Sequence, residues 1–210
     1  MQSWQKVARR IRVPLGFVAG ALYLFEAAQR PAHPKAIAWS LALVLPGLAL
    51  RAAASGTVRK NRELSVTGPY AYTRNPLYLG SMFMAAGFAV ALQSWLLGLL
   101  LAAGFAVIYI PVIASEEQFL RATYPGFDDY CRRVPRLVPR FVPRFTPAKA
   151  QNSQVVAPHD QPGPEAPAAG FSFALYLEHR EYNAALGAAL LYLSLLYLRP
   201  VLEFLLHLPR

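Results

Sequence analysis

"GPYAYTRNPLYLG", residues 68–80, joins a polar and basic loop to an apolar run. Asparagine is a favoured helix N-cap and proline a favoured first helical residue, so Asn75 and Pro76 predict that a helix begins here. Helix initiation does not explain why Arg74 precedes the cap, or why tyrosines are so frequent in the same stretch. An arginine beside a helix N-terminus is well suited to bind a carboxylate or a phosphate. The stretch therefore predicts a helix start with an anion-binding site beside it.

The composition of the chain is typical of an integral membrane protein. Of the 210 residues, 55% are hydrophobic and 15% are charged, whereas soluble domains have about 25% charged residues. The apolar residues come in blocks of about 16 to 20, which as helices cover most of a bilayer core of about 30 Å. We expect an all-α fold with about five transmembrane helices, at Val13–Gln29, Ala36–Ala54, Pro76–Leu92, Trp95–Ala114 and Asn183–Leu198.

The positive charges predict the orientation in the membrane. The net charge is +10, and lysine and arginine are concentrated before the first span, between the second and third, and after the fourth, while the Gln93–Ser94 turn has none. Cytoplasmic loops carry such an excess of basic residues. We therefore expect an integral protein of the cytoplasmic membrane, with its N-terminus and its functional site on the cytoplasmic side. Because the basic residues flank apolar spans, no nucleic-acid partner is predicted.

Two adjacent carboxylates, Glu116 and Glu117, follow the fourth span. Carboxylates this close to hydrocarbon are costly unless they are paired. In one interpretation they are neutralised by Arg121, Arg132 or Arg133. In the other they hold a cationic ligand, so that together with the anion site they bind a zwitterion. S-adenosylmethionine carries a carboxylate, an ammonium and a sulfonium group and fits this pair of sites, and a zwitterionic lipid headgroup fits it as well.

The sequence divides into three predicted parts. Residues 1–145 form a core of four spans and a cytoplasmic segment, in which the Val-Pro-Arg repeat after Tyr130 favours an extended chain because proline interrupts helices. Residues 146–170 are rich in proline and alanine, as flexible linkers are. Residues 171–210 carry an interfacial segment and a fifth helix, which Arg199–Pro200 breaks or kinks.

Single polar residues support three further interpretations. Cys131 is the only cysteine, so no intramolecular disulfide is expected; we interpret it as unreactive, although the arginines after it favour a lower thiol pKa. The four histidines lie on separate segments without ligand spacing, and no metal site is predicted. Glu26, within the first span, is either an interface residue or a buried partner of Arg51.

The sequence also resembles a known family. Residues Gly68–Gly80, followed by Glu116–Glu117, Leu120 and Tyr124–Tyr130, resemble the integral-membrane methyltransferases of the isoprenylcysteine carboxyl methyltransferase and phospholipid methyltransferase group. The pattern of that group is roughly G-P-Y-x-x-x-R-[HN]-P-x-Y-x-G, a hairpin, E-E-x-x-L and a segment rich in tyrosine and arginine. The resemblance covers about Asn61–Arg136. It implies a helical membrane enzyme that binds S-adenosylmethionine on the cytoplasmic side and methylates a lipid or lipid-like acceptor.

The resemblance also implies roles for individual residues. The cofactor-binding residues would be Tyr70, Arg74, Asn75, Pro76, Tyr78, Gly80, Glu116 and Glu117. The catalytic residues would be Glu117, Tyr130 and Arg133, of which the last two lie toward the acceptor. Asn75 stands where the prenylcysteine enzymes usually have histidine, and an asparagine cannot titrate near neutral pH. This departure disfavours a histidine base and a prenylcysteine acceptor in particular.

Two other functions remain open from the sequence. Membrane reductases of the sterol-reductase type resemble the same hairpin arrangement and use NADPH, but a pair of adjacent glutamates is unfavourable beside that anionic cofactor. A non-catalytic membrane protein that binds lipid is the second alternative. The sequence therefore predicts only the class of the acceptor, which is a prenylcysteine-like carboxylate or a phospholipid-like or amine-type amphiphile. It does not predict the oligomeric state.

Overall fold

The computed structural model describes residues 2–59, 64–140 and 170–206, in which all regular structure is helical. The α-helices are α1 (Gln2–Gln29), α2 (Pro34–Ser55), α3 (Pro76–Ala91), α4 (Trp95–Thr123, with a π-helical turn at Phe105–Tyr109), α5 (Phe127–Arg133), α6 (Phe173–Glu178) and α7 (Tyr182–Leu206). The expected all-α membrane class is confirmed. The linker predicted at 146–170 lies, apart from Gly170, outside the described residues.

Three helices among the described residues are long and apolar enough to cross a membrane, namely α2, α4 and α7. Helix α3 is apolar but has only 16 residues, and α1 does not meet the same criterion of length and composition. Of the five predicted spans, three are thus supported on this basis. Helix α1 begins at Gln2 rather than near Val13, since the polar N-terminal residues include good helix formers.

Helices α4 and α7 both extend beyond their predicted ends. The fourth span was expected to end near Ala114, but α4 continues to Thr123. The residues after Ala114 include Glu, Gln, Leu and Arg, which are polar in part but favour the helix. Similarly, α7 does not break at Arg199–Pro200 and continues to Leu206. Proline removes a single backbone hydrogen bond, which membrane helices tolerate.

The chain forms two compact units, and the first contains the described residues of Met1–Leu48, Ser81–Val112 and Asn183–Arg210. Its buried core is formed by Tyr23, Ala27, Val44, Phe88, Ala91, Leu92, Leu97, Ala188 and Leu195. The polar groups that enter this core have partners. The Tyr23 hydroxyl donates to the Leu191 carbonyl at 3.0 Å, and the hydroxyls of Ser40 and Tyr192 lie 2.6 Å apart. Such pairing is needed because an unsatisfied polar group in an apolar environment is costly.

The turn between α3 and α4 is confirmed at Gln93–Ser94. Gln93 has a left-handed backbone (φ 52°), and Ser94 caps α4 by accepting a hydrogen bond from the Leu97 N–H at 3.2 Å. Arg30 donates to the carbonyls of Leu92 and Gln93 at 3.3 and 3.1 Å. The Arg30 guanidinium thus provides hydrogen-bond donors for the backbone carbonyls of the turn between α3 and α4.

Glu26, for which the sequence left an interface position and a pairing with Arg51 open, lies in the same unit. It is 9% exposed and its partner is Arg30, one turn later on α1, at 3.1 Å. Residues four apart on a helix lie on the same face, so this local partner is available without any tertiary contact. Arg51 forms an ion pair with Glu181.

The second unit contains the described residues of Ala49–Gly80 and Ile113–Tyr182. Its buried core is formed by Leu64, Val66, Tyr124, Phe127, Tyr130 and Val134. Gly126, in the left-handed region at φ 85°, turns the chain from α4 into α5, a conformation that glycine adopts at little cost. This unit contains the residues that the sequence assigned to the functional site.

Candidate active site

The stretch 68–80 forms a short 3-10 turn followed by helix α3. Gly68 has φ +57°, and the turn Gly68–Ala71 is closed by hydrogen bonds from the amides of Tyr72 and Thr73 to the Pro69 carbonyl, at 3.1 and 3.2 Å. Helix α3 begins at Pro76, as predicted, and the Leu79 amide donates to the Asn75 carbonyl at 3.0 Å. The local sequence therefore fixes both the turn and the helix start.

The segment Val134–Arg140, the described part of the Val-Pro-Arg repeat, lies along residues 72–75. The Arg74 amide donates to the Pro135 carbonyl at 2.9 Å, and the Arg140 amide donates to the Tyr72 carbonyl at 3.1 Å. Val134 is extended, with φ −113° and ψ 126°, as expected for the start of this repeat. Proline has no amide hydrogen, so Pro135 can take part in this backbone pairing only as an acceptor, through its carbonyl.

Side chains of the opening stretch strengthen this pairing. The Thr73 hydroxyl lies 3.2 Å from the Arg136 carbonyl and 3.1 Å from the Leu137 carbonyl. The Asn75 side-chain amide donates to the Arg136 carbonyl at 3.0 Å. Asn75 therefore holds the segment that follows α5, a structural role that needs an amide donor and does not need a titrating group.

Glu117 is the centre of the charged cluster and is only 6% exposed. Its Oε1 accepts from Arg136 Nε at 3.1 Å and lies 3.1 Å from Arg74 Nη1. Its Oε2 accepts from Arg136 Nη2 at 2.5 Å. The contact with Arg136 is bidentate, which is the strongest geometry for a guanidinium and a carboxylate. Glu117 is thus held by two arginines, one from each of the paired segments.

Two of the three arginines that one interpretation assigned to the acidic pair have other partners. Arg121 lies 2.7 Å from Asp128, and Arg132 lies 3.5 Å from Asp129, so these two arginines pair with the aspartates of α5. The reason is local, since the turn at Gly126 places the first residues of α5 near the end of α4. The arginine that binds Glu117 most closely, Arg136, was not among the three predicted.

Glu116 has a different partner from Glu117. It is half-buried, and its Oε1 accepts a hydrogen bond from the Tyr78 hydroxyl at 2.8 Å. The buried Tyr70 side chain lies close to this carboxylate. Burial raises the pKa of the Tyr70 phenol, and the negative charges of Glu116 and Glu181 raise it further. Tyr70 therefore remains protonated at physiological pH, and its hydroxyl is a potential hydrogen-bond donor.

Comparison with known proteins supports the family resemblance. Residues 47–126 match the phospholipid methyltransferase family. This match confirms the resemblance inferred from the motifs and includes the opening stretch, Tyr78, Glu116 and Glu117. We call residues 47–126 the methyltransferase segment. It covers a little over a third of the chain, and Arg136 and Glu181 lie outside it.

Two curated proteins are similar over part of their length. The chain is 43% identical over 77 residues to the nickel-cobalt-cadmium resistance protein NccN of Alcaligenes xylosoxydans xylosoxydans. It is 38% identical over 77 residues to the cobalt-zinc-cadmium resistance protein CzcN of Cupriavidus metallidurans. These regions cover 37% of this chain and 36% of each relative, so the chain spans about a third of the relatives it matches. No solved structure matches the chain significantly.

Tyr130 follows the methyltransferase segment, and its hydroxyl is already engaged. Its side chain is 2% exposed within the core of its unit, and its hydroxyl donates to the Tyr70 carbonyl at 2.7 Å. Burial raises the pKa of this phenol. These contacts give Tyr130 a role in holding the turn at Tyr70, and its role toward the acceptor stays a prediction. The Arg133 side chain is half-buried, and its carbonyl lies 3.5 Å from Arg140 Nη1.

Replacing Tyr130 by phenylalanine tests this structural role. The Tyr70 carbonyl would lose its donor while the packing of the ring is retained. We expect a loss of about 1–2 kcal/mol in the free energy of unfolding, with any turnover reduced only in proportion to the folded fraction. Thermal denaturation of the detergent-solubilised protein measures the first effect. A turnover loss of about a hundredfold in a fully folded variant would instead restore a catalytic role.

The surroundings of Cys131 raise the pKa of its thiol. Burial raises this pKa more than the adjacent Arg74 guanidinium lowers it, in contrast to the lower pKa that the arginines after Cys131 favour from the sequence. The interpretation of this cysteine as unreactive stands.

Sequence reasoning missed Arg136 and the pair of Arg51 with Glu181. Arg136 lies in a repeat in which every arginine has a similar neighbourhood, so no local signal distinguishes it. Arg51 and Glu181 are 130 positions apart. The one signal for this pair was that each is a charged residue at the edge of an apolar run, where an ionised side chain needs a partner.

Proposed function

We propose that this protein transfers a methyl group from S-adenosylmethionine to an acceptor that partitions into the membrane. The observation that carries the proposal is the cluster around Glu116 and Glu117, in which acidic and basic side chains of the methyltransferase segment converge at the start of α3. This donor set fits a zwitterionic amino-acid group. Arginines suit its carboxylate, and glutamates suit its ammonium.

The state of Arg74 supports this fit. Its Nη1 contacts Glu117, while its buried Nε has no hydrogen-bond partner among the described residues. A buried guanidinium donor without a partner is unfavourable, and an anionic group of a ligand would satisfy it. Arg74 is therefore the residue we assign to the carboxylate of the cofactor, with Glu117 holding its guanidinium in place.

The residues of the site orient the reactants and need to do little else. S-adenosylmethionine, when bound, supplies a methyl group that is already activated on a sulfonium. Holding an acceptor in line with that group provides much of the rate, because alignment removes an entropic barrier. Tyr70 is a donor oriented by its buried turn, whereas Tyr78 gives its one hydroxyl hydrogen to Glu116 and would accept from a ligand through its oxygen. They would fix the position of the bound molecules.

The acceptor determines whether a base is needed. A carboxylate acceptor is ionised at neutral pH and needs none, whereas an amine must lose a proton. Tyr70 is protonated, and the Asn75 amide is engaged with Arg136, so neither serves as a base. Glu116, which accepts one hydrogen bond from Tyr78, is the residue we assign to receive such a proton.

The charged cluster is less suited to the alternative cofactor NADPH. The two arginines nearest the site both contact Glu117, so their charge is partly neutralised. A pyrophosphate group beside two glutamates would be repelled. A non-catalytic protein that binds a zwitterionic headgroup would use the same residues, and turnover distinguishes it from an enzyme.

A transfer assay tests the proposal. The purified protein is incubated with S-adenosylmethionine labelled on its methyl group and with separate fractions of membrane lipids, lipidated cysteine derivatives and water-soluble amines. We expect label in one of the membrane-partitioned fractions. Preferential labelling of a water-soluble acceptor would contradict the proposed acceptor class, and no labelling by a protein that binds the cofactor would favour the non-catalytic alternative.

A further inference from the structure

The segment 171–181 is attached to the end of helix α2. The Ser172 amide donates to the Gly56 carbonyl at 2.8 Å, and His179 Nδ1 lies 3.0 Å from the Ser55 carbonyl. The ring of Phe171 covers Gly56 so closely that a methyl group on Gly56 would overlap it. Although this segment lies outside the methyltransferase segment, it belongs to the same compact unit.

The turn after α6 determines the position of Glu181. The Arg180 amide donates to the Leu177 carbonyl at 2.9 Å, and the Glu181 amide donates to the Tyr176 carbonyl at 3.3 Å. These two bonds form a Schellman motif, which requires a left-handed residue and usually has glycine there. Here that residue is Arg180, with φ 52°. A side chain in this conformation is strained, so the chain accepts a local cost at the residue that precedes Glu181.

Glu181 forms a close ion pair with Arg51 of α2. Nε and Nη2 of Arg51 each lie 2.5 Å from Glu181 Oε1, and the two side chains are 23% and 12% exposed. Arg51 Nη1 lies 3.5 Å from the carbonyl of Leu77, in the first turn of α3. Leu77 stands between Pro76 and Tyr78. The ion pair thus connects the segment 171–181 to the turn that carries the proposed cofactor-binding residues.

The charge of Glu181 also acts on Tyr70, one of the proposed cofactor-binding residues. Burial raises the pKa of the Tyr70 phenol most, and the charges of Glu116 and Glu181 raise it further. Glu116 lies in the methyltransferase segment and Glu181 does not.

We propose that Glu181 is a positioning residue of the candidate site, which acts through Arg51 on the first turn of α3. This inference rests on the proposed function. Glu181 does not contact the cofactor in this account. It fixes the guanidinium of Arg51, which in turn fixes the backbone at Leu77 and so the placement of Tyr78. The segment 171–181 is then part of the functional site, although it lies outside residues 47–126.

The test compares Glu181→Gln, Arg51→Gln and the double variant, with Glu178→Gln as the matched control. Glu178 is an exposed glutamate at the end of α6, three residues before Glu181. Two quantities are measured in the full-length protein, the affinity for S-adenosylhomocysteine and the rate of amide hydrogen exchange in residues 77–81. We expect Glu181→Gln to weaken binding about fivefold and to accelerate exchange, while the double variant is no weaker than Arg51→Gln, since residues acting through one contact are not additive.

A conservative variant keeps the test decisive if Glu181→Gln does not fold. Glu181→Asp retains the charge but has a shorter reach, and we expect about a twofold loss of affinity with the same direction of change in exchange. Wild-type affinity and exchange in the Glu181 variants would overturn the proposal, and so would losses that multiply in the double variant. If the wild-type protein does not bind S-adenosylhomocysteine, the proposed function fails, and hydrogen exchange alone then decides whether Glu181 positions α3.

Discussion

Replacement of Glu117 by glutamine is expected to weaken binding of S-adenosylhomocysteine at least about thirtyfold, or about 2 kcal/mol. Glu117 accepts hydrogen bonds from Arg136 through both oxygens and also contacts Arg74. Glutamine removes the charge and turns one acceptor into a donor that faces guanidinium groups. Arg74, with a side chain only 14% exposed, would be left without a counter-ion and would no longer be held in place for the cofactor.

The same substitution is expected to lower the stability of the protein. Breaking a fully buried ion pair costs about 3–5 kcal/mol, but the Arg136 side chain is 45% exposed and regains hydration. We therefore expect a loss of about 2 kcal/mol in the free energy of unfolding. The matched control is Asp128→Asn, which removes an exposed ion pair with Arg121 and is expected to change stability by less than about 0.5 kcal/mol. Equal effects of the two substitutions would contradict a central role for Glu117.

Replacement of Gly87 by alanine is expected to destabilise the protein by about 1–3 kcal/mol through overpacking. Gly87 lies in α3, where a Cβ atom would be 2.5 Å from a methyl group of Val44 and 3.0 Å from the Ser40 carbonyl of α2. The carbonyl belongs to a helix backbone and cannot move independently. Small residues allow membrane helices to approach closely, and Gly87 does so between α2 and α3.

A matched glycine separates packing from helix propensity. Gly187 lies within α7, and none of the described atoms is within 4 Å of a Cβ added there. Gly187→Ala is therefore expected to be neutral or to stabilise the protein by up to about 1 kcal/mol. Both variants are measured by thermal denaturation in the same detergent. A Gly87→Ala protein as stable as Gly187→Ala would show that α2 and α3 do not pack as closely as described.

The sequence was most informative where structure depends on neighbouring residues. Asn75 and Pro76 predict the start of α3 because capping is a local property, and Gln93–Ser94 predicts the turn because the apolar runs on either side are continuous. The end of α4 was less predictable, since hydropathy falls at Ala114 while helix propensity does not. Hydropathy indicates where a chain leaves an apolar environment. A helix can continue past that point, so hydropathy alone does not predict the residue at which the helix ends.

The candidate site was less predictable because its contacts join distant parts of the sequence. The motif identified Glu117 and Arg74, but the choice of Arg136 over Arg121 and Arg132 depends on the turn at Gly126 and on the path of the chain after α5. Charge complementarity predicts that a partner exists and does not determine which arginine it is. The role of Asn75 as a donor to the Arg136 carbonyl likewise depends on that path.

The most direct test of the proposed function is a calorimetric titration of the purified, detergent-solubilised protein with S-adenosylhomocysteine and, separately, with NADPH. Glu117→Gln serves as the site variant and Asp128→Asn as the folded control. We expect saturable binding of S-adenosylhomocysteine by the wild-type protein and the control, weakened binding by the site variant, and no binding of NADPH. Binding of NADPH without S-adenosylhomocysteine, or binding of neither by a well-folded sample, would contradict the assignment as a methyltransferase.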